Sequence, residues 1–239
     1  MTVAEPIGSL DGARSVRSFE TMRPAVALIG SGDTMLLDGW CVGSPAPLVA
    51  ALDGKPFTRL AHGFARPDIA ALYGPDGAYA GFRGVVSLLG VAAGDHALDI
   101  LAGPHVVART TIRVVDPAVP GISTPYVHAD GSAGAAHVYP YGAMITQTGW
   151  AVDGPGGSPV DSVALLVDGR WIVQASYGIV RPDAAAVAGV ADGAIGFECA
   201  IPSPYIAPGT HTALPIAVTP DGTRLDGTGE LTIVVAPIA

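Results

Sequence analysis

The sequence predicts an all-β protein made of two tandem antiparallel β-sandwiches, each carrying one short helical turn. Three observations predict it. Gly 32 and Pro 21 of 239 residues make up about 22% of the chain, against ~12% in an average protein, which favours turn-dense β architecture over long helices. Short apolar runs separated by turn signals recur roughly every ten residues. The chain also repeats itself. Gly39-Trp40, Asp53-Gly54, Arg66-Pro67-Asp68, Gly81-Phe82 and Gly94-x-His96 return in the same order as Gly149-Trp150, Asp168-Gly169, Arg181-Pro182-Asp183, Gly196-Phe197 and Gly209-x-His211.

The offset is 115 from Asp53 through His96 and 110 at Gly39. The difference of five places a loop insertion in the second copy at Gly154-Pro155-Gly156-Gly157-Ser158-Pro159. A period this long is a whole domain, not a solenoid turn. The boundary falls in 116–121, where Pro117 and Pro120 end the last strand of copy one. Copy one is then 1–117 and copy two 118–239.

In chain order, copy one predicts strands at 25–29, 34–42, 48–52, 55–60, 84–89, 96–101 and 106–115. Their counterparts lie at 126–129, 143–152, 160–167, 170–175, 198–201, 211–218 and 230–235. The Asp-Gly pairs at 53–54 and 168–169 each sit between two apolar-rich runs, the signature of a tight hairpin whose turn needs positive φ at both central residues. Residues 66–73 and 181–187 break the strand pattern. Pro at the first helical position and Asp beside it start a helical turn, expected to bridge the two sheets.

Gly-Trp-Ala-Val-Asp, Val-Asp-Gly, Tyr-Gly-Ile-Val-Arg-Pro-Asp, Gly-Phe and Pro-Gly-Thr-His, as they stand in copy two, resemble a bacterial immunoglobulin-like repeat. Copy one departs from it with Cys41 for Ala151, Gly43 for Asp153 and His62 for Tyr177. Such modules occur in tandem in large surface proteins and as appendages of carbohydrate-active enzymes. The resemblance covers about 200 residues. It implies immunoglobulin-like sandwiches with binding or spacing roles and no catalytic residues; fold alone does not settle function.

Residues kept in both copies are expected to serve the fold. Trp40, Trp150, Phe82 and Phe197 read as core. His96 and His211 have no second ligand at metal spacing and read as structural. Arg66 and Arg181 present forks suited to an anion, or pin the short helix by pairing locally. Residues that differ between copies are freer to bind. Trp171 follows the Asp-Gly turn where copy one has Pro56. Tyr139 and Tyr141 flank Pro140, and Tyr73 and Tyr79 bracket a Gly-Pro-Asp-Gly loop. With Arg66 and Arg181, these five aromatics are the candidate ligand-binding residues for a glycan or a protein surface.

Composition removes several functions. Lys+Arg 12 against Asp+Glu 21 gives −9, which argues against nucleic acid. Copy one carries 9 cations and 11 carboxylates, copy two 3 and 10. No apolar run is long enough to span a bilayer, so no membrane insertion is expected. No Gly-x-Ser-x-Gly, Cys-x-x-Cys, His-Glu-x-x-His or phosphate loop is present, so no enzyme, no cofactor and no metal site are expected. Cys41 and Cys199 are not in equivalent positions and read as free buried thiols. Residues 1–10 lack a basic segment followed by an apolar one. That reads as cytoplasmic, or as surface or secreted if export is by another route or the chain is a mature form. The leading expectation is a non-catalytic binding protein. A spacer or self-assembling homo-oligomer is the alternative, and an enzyme with an inter-domain site is the third reading.

Overall fold

Twenty short strands and two seven-residue α-helices make up most of the regular structure of the described residues. The structure is a computed structural model that describes residues 5–15, 26–44, 46–131, 134, 136–191 and 193–237. Contacts separate the chain into two units, Met1–Arg14 with Gly32–Val114, and Ser15–Ser31 with Val115–Ala239.

The first half holds β1 (Ile7–Ser15), β2 (Ala27–Gly30), β3 (Thr34–Val42), β4 (Leu48–Leu52), β5 (Lys55–Arg59), β6 (Ala61–Phe64), α1 (Pro67–Tyr73), β7 (Gly81–Ser87), β8 (Gly94–Ala102) and β9 (His105–Val115). In unit 1 one sheet runs β1–β3–β7–β6, and the facing strands run β9–β8–β4–β5. That is the ABED and GFCC′ strand order of an immunoglobulin-like sandwich. β3 alternates half-buried and buried residues along its whole length, as a strand with one face on a core must.

The second half holds β10 (Ile122–Thr124), β11 (Val127–Ala129), β12 (His137–Pro140), β13 (Met144–Ala151), β14 (Ser162–Val167), β15 (Trp171–Gln174), β16 (Ser176–Ile179), α2 (Pro182–Ala188), β17 (Gly196–Pro202), β18 (Gly209–Val218), β19 (Arg224–Gly227) and β20 (Leu231–Ala236). The first sheet of unit 2 runs β11–β13–β17–β16. In the second, β15 and β14 lie on one side of β18. Its other side pairs with β20 over Gly209–Ala213 and with β19 over Ile216–Val218. The switch falls at Leu214–Pro215, where proline has no N–H to give a ladder. β12 runs parallel to β20, and β10 parallel to β19.

The Asp-Gly hairpins form as expected: Asp53 and Gly54 take φ 50° and 75°, Asp168 and Gly169 take 52° and 61°. Phe82 and Phe197 are core residues, each 1% exposed. Trp150 is a buried core residue as expected, though in a second cluster, whereas Trp40 is only half-buried. Trp150 is buried on the outer face of the first sheet, under α2, with Val152, Ala184, Ala185, Ala188 and Ile195. Trp40 is half-buried against Tyr73 of α1, 5.5 Å between ring centroids. The helices do not bridge the sheets. Each joins two neighbouring strands of one sheet, β6 to β7 and β16 to β17, and lies over the outside of that sheet.

The apolar periodicity does not show β1, β6, β10, β12, β16 or β19. β6 and β16 are bulged edge strands with a positive-φ glycine, Gly63 and Gly178. β12 is short and ends in proline. The expected pairing of 25–29 with 126–129 is also corrected: at the offset of 110, β2 corresponds to β12, each followed by a positive-φ glycine, Gly32 and Gly142. Ala25 itself lies outside the described residues.

Candidate functional site

The polar residues common to both copies form braces. Arg66 reaches both oxygens of Asp68 at 2.9 and 2.6 Å and Asp11 at 2.5 Å. Arg181 does the same with Asp183 and with Asp130. The fork ties the first helical turn to the strand at the far edge of the sheet. The guanidinium holds the Asp68 and Asp183 carboxyls down at about 2. In each copy the stem of the same arginine lies on a glycine of the Gly-Phe pair: Cγ is 3.1 Å from an ideal Cβ at Gly81 and 2.6 Å at Gly196.

A second brace joins the Asp-Gly turn to β8 or β18. His96 Nδ1 meets Asp53 Oδ2 at 2.7 Å and its Nε2 meets the Ala92 carbonyl at 2.9 Å, while Asp53 Oδ1 accepts from the Ala97 N–H. His211, Asp168, Ala207 and Thr212 repeat it. Both partners of His96 are acceptors, and the bond to Asp53 raises its pKa. His62 stands in for Tyr177: its Nε2 lies 3.2 Å from the Cys41 carbonyl, where Tyr177 donates to the Ala151 carbonyl at 2.7 Å.

The candidate aromatics do not converge on one place. Trp171 is half-buried, packs on the main core of unit 2 and carries Arg170 5.5 Å over its ring. Tyr141 and Tyr139 also pack there, and Tyr139 donates to the Thr146 carbonyl. Tyr73 lies against Trp40 and is 40% exposed. Tyr79 is 69% exposed. Cys41 and Cys199 are free and buried, and burial pushes their thiols up to about 11 and about 12.

A different group emerges from comparing the copies. β14 is buried on both faces. Its inner face meets the sandwich core; its outer face is covered by Leu28 of β2, which packs with Ala164, Leu166, Ile172, Ile216 and Val218. Gln174 clamps that segment. Its Oε1 accepts from the Leu28 N–H at 3.0 Å and its Nε2 donates to the Val26 carbonyl at 3.2 Å. Gly30 leaves room for Ile172, whose Cγ1 lies 3.3 Å from where a Cβ would be.

At the offset of 115, Ala164, Leu166, Ile172 and Ile216 become Val49, Ala51, Phe57 and Leu101. All four are apolar; the fifth residue of the set, Val218, becomes Gly103. Phe57 is the extra residue of a bulge, skipped between the pairs Ala51–Pro56 and Ala50–Thr58, and bulges re-aim side chains. It is 43% exposed. Val49 pairs with Leu101, and Leu101 with Val106, giving an apolar row across three strands. Exposed Lys55 and Arg59 flank Phe57 on β5. Arg109 grips both oxygens of Asp99 at 2.6 and 2.9 Å beside the row and holds that carboxyl below its usual range.

This face of unit 1 combines an exposed aromatic, Phe57, with exposed Lys55 and Arg59 and with Arg109 held by Asp99. Among the described residues, no group of three His, Cys, Asp or Glu is placed to hold a metal. Single-copy reading misses the site because Val49 and Leu101 look like ordinary strand residues. The signal that finds it is the divergence at two aligned positions, Ile172 to Phe57 and Gln174 to Arg59.

No family model matches the sequence, and no curated protein matches it. Among solved structures, it is similar to the N-terminal Ig1-2 module of the Drosophila receptor protein tyrosine phosphatase DLAR, with 12% identity, 94% of this chain and 99% of that one covered, and a TM-score of 0.30. Rst D1-D2 matches at 11% identity, covering 93% and 99%, with a TM-score of 0.29. The I9-I11 tandem of titin matches at 7% identity and a TM-score of 0.23; this chain covers 65% of that fragment with 94% of its own length. All three are tandem immunoglobulin-like structures. The fold assignment here rests on the strand order.

No helix among the described residues is long and apolar enough to cross a membrane.

Proposed function

We propose that this chain is a non-catalytic binding protein whose target is a protein surface, engaged by the outer face of β4, β5 and β8. One observation carries the reading. The face that unit 2 covers with Leu28 and clamps with Gln174 is only partly covered in unit 1: Ala51 is buried, but Phe57 is 43% exposed between Lys55 and Arg59. Exposed aromatics and arginine are enriched at protein interfaces, and Phe57 and Arg59 supply both here. The repeated polar groups are engaged in internal braces.

The test compares proteins retained from source-cell lysate by the chain and by Phe57→Asp. Specific partners lost with Phe57→Asp support the reading. The same partners retained by the variant would sink it. A glycan array run beside it separates the carbohydrate alternative: glycan binding lost on Tyr79→Ala or Trp171→Ala and kept by Phe57→Asp would move the function to sugars.

A further inference from the structure

We propose that the proton on His96 controls the binding strand: an imidazolium at 96 holds the β4–β5 turn in place for Phe57, and its loss as pH rises releases β5. The inference rests on the binding reading above and supplies its regulation.

The geometry starts from donors and acceptors. His96 Nδ1 lies 2.7 Å from a carboxylate oxygen of Asp53, and Nε2 lies 2.9 Å from the Ala92 carbonyl oxygen. An ionised carboxylate and a carbonyl only accept. A neutral imidazole carries one N–H and keeps one of these bonds, whereas the imidazolium keeps both. The complete brace is therefore the protonated brace.

The charges around the ring favour that form. Asp53 faces it from the turn, and Asp95 stands beside it on β8. Arg113 of β9 grips both oxygens of Asp95 at 2.5 and 2.9 Å. Lys55, two residues beyond Asp53, acts on the Asp53 carboxylate. The bond to Asp53 raises the His96 pKa above 6.5. The brace is complete below 6.5 and opens as pH rises through the raised value.

What the brace holds differs between the copies. β5 starts at Lys55, directly after the Asp53-Gly54 turn. No residue of β5 is buried: Lys55, Pro56, Phe57 and Arg59 are exposed and Thr58 is half-buried. Its ladder to β4 is interrupted by the bulge at Phe57. Asp53 supplies what packing does not, with Oδ1 on the Ala97 N–H and Oδ2 on His96. In unit 2 the twin brace of His211 and Asp168 serves a strand that is fixed anyway. Ile172, Val173 and Gln174 of β15 are buried, and Trp171 packs on the core. Loss of one proton thus frees the exposed strand of unit 1 and leaves its counterpart in place. His96 is a positioning residue that acts through Asp53.

The first experiment follows amide hydrogen exchange from pH 6 to pH 9, corrected for the intrinsic rate. Protection at 55–59 should fall about tenfold, the loss expected of a charge-assisted hydrogen bond, while protection at 171–174 holds. His96→Gln has no titrating proton and should flatten the profile at 55–59. Asp53→Asn keeps a turn-forming residue and removes the charge, so the midpoint should move to lower pH. It serves as the second variant if His96→Gln does not fold. Wild-type protection at 55–59 that stays level overturns the proposal, and so does an unchanged profile in His96→Gln.

The second experiment repeats the lysate capture at pH 6 and pH 9. Partners that depend on Phe57 should be retained about tenfold better at pH 6 by the wild type, and equally at both by His96→Gln. Equal retention at both by the wild type overturns control of the site. A level exchange profile with partners lost from Phe57→Asp removes only this inference. Partners kept by Phe57→Asp, with pH-dependent exchange intact, remove the binding reading and leave the proton-controlled strand standing.

Discussion

Gly149 stands directly opposite Phe197 on the β13–β17 ladder, and the phenyl ring fills the space a side chain at 149 would need. A Cβ there would lie 2.4 Å from Phe197 Cζ and 2.1 Å from the His128 carbonyl oxygen. The next pair reverses the roles, with Trp150 opposite Gly196. Unit 1 does the same with Gly39–Phe82 and Trp40–Gly81. The repeated Gly-Trp and Gly-Phe dipeptides are thus two halves of one cross-strand lock.

That lock gives a first prediction. Gly149→Ala should destabilise the protein by about 3 kcal/mol or more, because overpacking against backbone cannot be relieved by rotating a side chain. Adding Phe197→Leu should not rescue it, since the His128 carbonyl still clashes. Gly193→Ala, whose Cβ would make only ordinary contacts from 3.7 Å outward, should lie within about 0.5 kcal/mol of wild type. Urea unfolding of the three variants checks the ranking.

The two tryptophans of unit 2 should differ in degree. Trp150 is 8% exposed under α2, and Trp150→Ala should cost about 3–5 kcal/mol. Trp171 is half-buried over the main core, and its loss should cost about 2 kcal/mol. Equal costs in chemical denaturation would contradict this placement.

Leu28 offers a separate check on the covered face of unit 2. It is fully buried among five apolar residues, so Leu28→Ala should cost about 2–5 kcal/mol. Hydrogen exchange should then rise at β14 and β15, and not at β4.

Stability should respond to pH at two ends. Asp68 and Asp183 have carboxyls held at about 2 by Arg66 and Arg181, below the ordinary 3.8. Their stabilisation is therefore present above pH 3.8 and is lost as pH falls toward 2. Arg181→Met should flatten that acid limb. His96 behaves oppositely. Its pKa is raised above 6.5, first by Asp53, so its contribution is complete below 6.5 and disappears as pH rises through the raised value. The stability gap between wild type and His96→Ala should narrow from pH 6 to pH 8. A constant gap would remove the charged brace.

The sandwich was legible because its turns and steric locks require particular residues. Asp-Gly, Arg-Pro-Asp and Gly-Phe each report a local geometry that few residues satisfy. The strands that escaped have no such requirement. β12 is read only through its partner β20, and β16 through a bulge against β17. Burial on both faces of β14 was equally hidden. Its six apolar-rich residues look the same whether Leu28 covers them or not. Trp40 and Trp150 were legible as structural residues but not as outward-facing ones, because pattern reveals alternation and not which side the helix will cover. The candidate face was invisible for the same reason. Its aliphatic members Val49 and Leu101 look like ordinary strand residues, and Phe57 stands out only beside Ile172 of the other copy.

The parallel pairing of β12 with β20 also bears on how the second unit would respond to tension. Along this ladder His137 matches Ile233 and Pro140 matches Ala236. Force entering ahead of β12 and leaving after β20 pulls the two strands past each other lengthwise. The bonds between them are then loaded together in shear, not opened one by one as a zipper. A chain strung between two attachments would load the short β10 and β11 pairings and then this seam, which would yield in one abrupt step when it failed.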